Sequence, residues 1–113
     1  MARQVADLEI LSEYLDNVIL RAVHHAPNVD EIALALVGAI LWKKDDKQIE
    51  LFERDGEVKN VLWVWIGDTR YAFSYNHNTQ EIEMRKNSTH GAVIKVFSNS
   101  TPLADLKSFF DNL

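Results

Sequence analysis

The sequence predicts an α+β fold: two N-terminal helices packed on one face of a roughly five-stranded antiparallel meander, followed by a short C-terminal helix. Three observations carry this. Apolar residues recur at spacings of three and four up to about Lys43, they alternate from Lys47 onward, and turn residues then punctuate the chain at short intervals. At 113 residues, with 47% hydrophobic and 26% charged residues, the chain has the size and composition of a single globular domain over 1–113.

The first helix is read over about 3–25, where Leu8, Leu11, Leu15, Val18 and Ala22 form one stripe and Val5, Ile19 and Val23 widen it. Pro27 ends it. Asn28, with Glu31 three residues on, reads as a capping-box-like start for a second helix that runs to about Lys43. Residues Ile32 to Trp42 are apolar nearly all round, so this helix is expected to be enclosed between the first helix and the sheet. Gly38 would allow close backbone approach there. Strands follow near 48–54, 58–66, 70–75, 80–86 and 92–97. Thr101 as N-cap and Pro102 at the first helical position open the last helix, whose apolar face is Leu103, Leu106, Phe110 and Leu113.

Turn chemistry sets register, and register decides which side chains share a face. A two-residue turn at Asp55-Gly56 pairs Arg54 with Glu57 and places Leu51 opposite Asn60, Glu50 opposite Val61 and Phe52 opposite Lys59. A two-residue loop at Gly67-Asp68 or Asp68-Thr69 groups Leu62, Val64 and Ile66 with Tyr71, Phe73 and Tyr75. A two- or four-residue loop around His77-Asn78 adds Ile82 and Met84. With Ile49 and Leu51 these residues make a continuous apolar face, the expected core. The opposite face collects Phe52, Val61, Trp63, Trp65, Arg70, Ala72, Ser74, Glu81, Glu83 and Arg85, with Glu50 and Lys59 at its margin. Aromatic anchors inside a charged rim have the composition of a binding interface. The same residues also permit a plainer arrangement, with Trp65 stacked on Arg70 and Phe52 beside Val61 and Trp63, stiffening the sheet, or with a chain-terminal segment folded over them.

The chemistry is narrowed mostly by what is missing. With no cysteine, the chain has neither a disulfide framework nor thiol catalysis, and a reducing cytoplasm is the expected compartment. A net charge of −5 without a concentrated basic patch argues against nucleic acid as a partner. The longest apolar run, Ile32 to Trp42, is about half of the roughly 20 residues a bilayer demands, and the N-terminus has no signal-peptide layout, so no membrane partner is expected. His24, His25, His77 and His90 show no ligand spacing, and no phosphate loop or nucleophile elbow is present, so neither metal nor cofactor is expected. Glu81 and Glu83 share a strand face at roughly 7 Å, near the indoles, an arrangement that suits a cationic or aromatic ligand or weak acid–base work. Asn87-Ser88-Thr89 fits a glycosylation pattern but reads as a loop.

The stretches Ile40-Leu41-Trp42-Lys43-Lys44, Gln48 to Gly56 and Val61 to Asp68 resemble the small orphan proteins encoded on bacterial integron gene cassettes. That resemblance implies a compact cytoplasmic bacterial protein, often oligomeric, and carries no catalytic residue with it. The leading expectation is a non-enzymatic binding protein, homodimeric, using the Trp-bearing sheet face or the first helix as its interface. A small-molecule-binding protein or weak hydrolase with a carboxylate-lined Trp pocket is the second expectation, and an antitoxin- or immunity-like acidic partner is the third.

Overall fold

In the computed structural model, the residues described are Ser12, 28–47, 49–54 and 57–113, with backbone alone for 51–54 and 57–60. Helix α1 (Asp30–Lys43) leads into strands β1 (Glu50–Arg54), β2 (Glu57–Ile66), β3 (Thr69–Asn76), β4 (Glu81–Lys86) and β5 (Val93–Phe97), and helix α2 (Leu103–Asp111) follows. The strands form one antiparallel sheet in the order β1-β2-β3-β4-β5, a meander. The α+β class and the antiparallel sheet therefore stand. The helix content differs: among the described residues one helix element, not two, precedes the sheet, and the helix read over 3–25 lies outside them except for Ser12, which is helical.

Both helices cover the same sheet face. Ile32, Ala33, Leu36 and Ile40 of α1 join Ile49, Leu62, Val64, Ile66, Tyr71, Phe73, Tyr75, Ile82 and Met84 in one buried cluster, which Phe97, Leu106 and Phe110 extend under α2. The burial of alternate residues on β2, β3 and β4 is what a sheet with one packed face requires. Burial also holds Tyr75 in its neutral form, raising its pKa.

The turns fix this parity. Gly67 and Asp68 both take positive φ, 55° and 68°, so Ile66 pairs with Thr69 through a tight two-residue loop. Asn76 closes the next, four-residue connection: its Oδ1 accepts hydrogen bonds from the backbone N–H of Asn78 (2.8 Å) and Thr79 (3.1 Å), and Asn76 then pairs with Glu81. The Asp55-Gly56 turn lies outside the described residues, but the strands it joins correct the expected register. Arg54 pairs with Glu57, yet Leu51 faces Leu62 rather than Asn60, and Glu50 faces Trp63 rather than Val61. An irregularity between Leu51 and Glu53 slips the pairing by two residues, which preserves the faces and changes the neighbours. At the other edge, Met84 pairs with Lys95 and Arg85 with Val93, so Ile94 is the extra residue of a bulge on β5. A bulge and a lysine on an edge strand discourage edge-to-edge pairing.

The helix starts also differ from expectation. Val29, not Asn28, is the N-cap residue of α1 and supplies no side-chain bond. Asn28 instead sits at φ 70°, its side-chain amide reaching the Gln80 carbonyl at 3.4 Å. The orphan donors of α1 are met from the far end of the chain: Asn99 Oδ1 accepts from the N–H of both Glu31 and Ile32, each at 3.0 Å. Thr101 does not cap α2 either. Its hydroxyl accepts from the Ser98 N–H at 2.9 Å, tightening the turn before the helix, and Pro102 takes the cap position.

Candidate functional site

The residues expected to form a Trp-bearing face do share one side of the sheet. Val61 pairs with Ser74, Trp63 with Ala72 and Trp65 with Arg70, while Ser74 faces Glu83 and Ala72 faces Arg85 on the next strand. Glu81 lies opposite Asn76. The side chain of Phe52 lies outside the described residues. What changes is the condition of the face. Trp63 and Trp65 are half-buried and Ala72 is buried, so the open aromatic patch expected from composition is not what the fold presents.

Side chains of the protein itself occupy the ring faces. The Arg70 guanidinium lies 3.9 Å from the centroid of Trp63, its diagonal neighbour, rather than on Trp65, its cross-strand partner. Its Nη2 reaches Glu50 at 3.5 Å, while its Nε is buried without a hydrogen-bond partner among the described residues. Stacking and the Glu50 contact therefore hold the group. Trp65 is covered by Lys47, whose Nζ lies 4.7 Å from the ring. Asp45 holds that lysine in place: its carboxylate accepts from the Lys47 N–H at 2.8 Å and meets Lys47 Nζ at 3.3 Å, while its own N–H donates to the Trp65 carbonyl at 3.0 Å. The backbone hydrogen bond from Lys47 is the main cause that holds the Asp45 pKa below its ordinary value. Lys47 was not among the residues expected at this site, although its place just before the first strand was a signal for it.

The carboxylates are similarly engaged. Glu83 Oε1 pairs with Arg85 Nη2 at 2.9 Å and Oε2 accepts from Asn76 Nδ2 at 3.1 Å, so both oxygens are engaged within the sheet face. Arg85 also donates through Nε to the Gly91 carbonyl at 3.0 Å and reaches Ser74 Oγ at 3.5 Å. Among the described residues no group of three or more His, Asp or Glu has the geometry of a metal site, and none of their helices is long and apolar enough to cross a membrane.

Removing the stacked guanidinium tests this account of the face. Arg70→Ala is expected to lower unfolding stability by about 0.5–1 kcal/mol, and Arg70→Lys to recover only part of that, because an ammonium lacks the flat surface that lies on the indole. Denaturant midpoints at constant m value measure both; an Arg70→Ala protein as stable as the parent would show the stacking to be incidental.

Apolar surface opens on the other side of the molecule. Leu34 is 59% exposed, Leu41 40% and Trp42 52%, and Leu103, which lines a groove with Leu34, is 65% exposed. The groove, of about 370 Å³, is lined by Ile32, Leu34, Ala35 and Leu103 with Glu31, Asn99 and Thr101 at its polar end. Glu31, Leu34, Ala35, Gly38, Leu41 and Trp42 follow helical spacing, so they form one stripe of α1 turned away from the buried stripe of Ile32, Ala33, Leu36 and Ile40. The sheet covers one side of an all-round apolar helix, and among the described residues α2 covers only part of the rest, while the first helix expected to complete its enclosure lies outside the described residues. Sequence reasoning placed these residues in the core. The available signal was the mismatch between a helix apolar on every side and a single sheet face to receive it.

Residues 11–107 match the family model described as integron cassette protein VCH_CASS1 chain. The chain belongs to this integron cassette protein family. The match takes in α1, the whole sheet and the start of α2, and it contains the three stretches in which the resemblance was read. No curated protein matches the chain. Membership in the integron cassette family assigns neither a reaction nor a partner, so functional argument rests on the two surfaces themselves.

Proposed function

We propose that this integron cassette protein is a non-enzymatic interaction protein whose working surface is the outer face of the helical layer, with Trp42 as its anchor. The observation that carries the reading is the exposure of Trp42 on one helical stripe with Leu34 and Leu41, where Leu34 and Leu103 line an apolar groove. Aromatic and aliphatic groups gathered in a contiguous stripe are what a polypeptide partner buries, at about 1.5–3 kcal/mol for each large side chain removed from water. The Trp63 and Trp65 face supports this reading by contrast. Trp63 and Trp65 are half-buried where Trp42 is 52% exposed, and the Glu83 carboxylate is doubly engaged, which suits a stiffening layer better than a vacant pocket.

Because the natural chain has no cysteine, Leu34→Cys and Ser74→Cys each introduce a single thiol, one on either surface. With a benzophenone attached to that thiol, irradiation in extracts of the producing cell is expected to give polypeptide adducts from position 34 and none from position 74. Adducts from position 74 alone would move the working surface to the Trp-bearing sheet face, and adducts from neither would remove the interaction reading.

A further inference from the structure

We infer that the polypeptide docking on this face is a second copy of the chain, packed with its α1 antiparallel to the first about a two-fold axis near Gly38. The inference rests on the reading that the outer helical face is the working surface, and it is carried by the distribution of charge along that face. The stripe begins at an acidic end, with Asp30 and Glu31 in the first turn of α1, and finishes at a basic end. There Lys43 and Lys107 lie with their ammonium groups 5.2 Å and 6.0 Å from the Trp42 ring. Neither Glu31 nor Lys107 has an ion-pair partner among the described residues. A two-fold axis across the middle of the helix brings the acidic end of each copy against the basic end of the other, and sets Leu34 of each against the Leu41–Trp42 end of its mate. A parallel pairing would put Glu31 against Glu31 and lysines against lysines. The face is therefore self-complementary in one orientation only, which is the requirement of an isologous interface.

Gly38 lies between Leu34 and Leu41 on the stripe, is exposed, and a Cβ built there would meet nothing within 4 Å among the described residues. It makes no packing demand on those residues. A glycine at the crossing point lets two helix backbones approach closely, as small residues do where helices pack tightly.

The experiment is a measurement of mass across dilution for the purified full chain and four variants. The wild type is expected to be a dimer that dissociates on dilution. Trp42→Ala should weaken it at least a hundredfold. Glu31→Lys should weaken it about tenfold or more by placing like charges together twice, and the double variant Glu31→Lys, Lys107→Glu should restore most of that loss by exchanging the two ends. Gly38→Cys, the sole thiol of its chain, should form an intermolecular disulfide under mild oxidation, because disulfides need Cα atoms about 4.4–6.8 Å apart. A dimer untouched by Trp42→Ala overturns the inference by locating the interface elsewhere. A dimer that Trp42→Ala breaks, but in which the charge exchange gives no rescue and Gly38→Cys forms no disulfide, overturns the antiparallel arrangement. A wild-type monomer at every concentration also overturns it. In that case acrylamide quenching, read as the difference between wild type and Trp42→Phe, tells which occupant holds the face: a shielded Trp42 means residues 1–27 of the same chain, and an accessible one leaves it for a different protein. Adducts of other polypeptides from position 34 combined with a monomeric purified protein would leave the interaction reading standing while this inference falls.

Discussion

Phe97→Ala is expected to cost about 3–5 kcal/mol of unfolding stability, the range for emptying a fully buried aromatic site. For a domain whose whole stability is on the order of 5–15 kcal/mol, that is about a fifth of the total or more. The reason lies in where Phe97 sits. It is fully buried at the end of β5, directly opposite Ile82, and its ring meets those of Phe109 and Phe110 at 6.2 Å and 6.1 Å. Phe109 and Phe110 themselves pack edge to face at 5.9 Å. One side chain thus joins the last strand of the sheet to the last helix, and its loss leaves a cavity that neither element fills without leaving the other. Denaturant unfolding should show a lower midpoint, with Phe97→Leu costing less than about 1.5 kcal/mol because most of the volume is kept. A Phe97→Ala protein no less stable than Leu103→Ala, which truncates an exposed side chain, would show that α2 is not held by this contact.

The faces of the sheet were legible in the sequence because they depend on parity alone. The Gly67-Asp68 turn and the four-residue connection after Asn76 both preserve it, and so does the two-residue slip between β1 and β2, which is why a wrong register there still put Glu50 on the side of Trp63. Exact neighbours were not legible, because bulges leave no simple mark in the pattern of polar and apolar residues. The partner of Arg70 shows the same limit. Pairing predicts Trp65, while a long side chain leaning along the strand reaches the diagonal Trp63. The exposure of the α1 stripe among the described residues was not legible for a different reason. Composition states which side chains favour burial, and only the assembled layers show whether there is enough surface to bury them. The helix read over 3–25, expected to receive the rest of that surface, lies outside the described residues.

Asn99→Ala is expected to lower stability by about 1–2 kcal/mol, the upper part of the range for loss of a helix cap. The cap here is supplied across the fold, 68 residues from Glu31 in sequence. Asn99 Oδ1 accepts from the N–H of Glu31 and of Ile32, its Nδ2 donates to Asp30 Oδ1 at 2.9 Å, and its own N–H donates to the Asn28 carbonyl at 2.7 Å. Local sequence offered Asn28 for this role, but Asn28 turns the chain at positive φ and Val29 has no oxygen to offer, so the donors would stand unpaired without Asn99. The contact also ties the loop after β5 to the start of α1, closing the groove at its polar end. Alanine therefore removes three side-chain hydrogen bonds, one of them to a carboxylate, which places the effect toward the upper part of the range. Asn99→Asp should fall between alanine and wild type: it keeps oxygens for the two N–H groups and adds a favourable charge at the helix N-terminus, but it exchanges the donor to Asp30 for a second carboxylate. Amide exchange decides whether the cap is the cause, since the N–H groups of Glu31 and Ile32 should lose protection in Asn99→Ala more than those in the middle of α1. Equal acceleration along the whole helix would mean that Asn99 stabilises the fold globally and that its hydrogen bonds at the helix start are incidental.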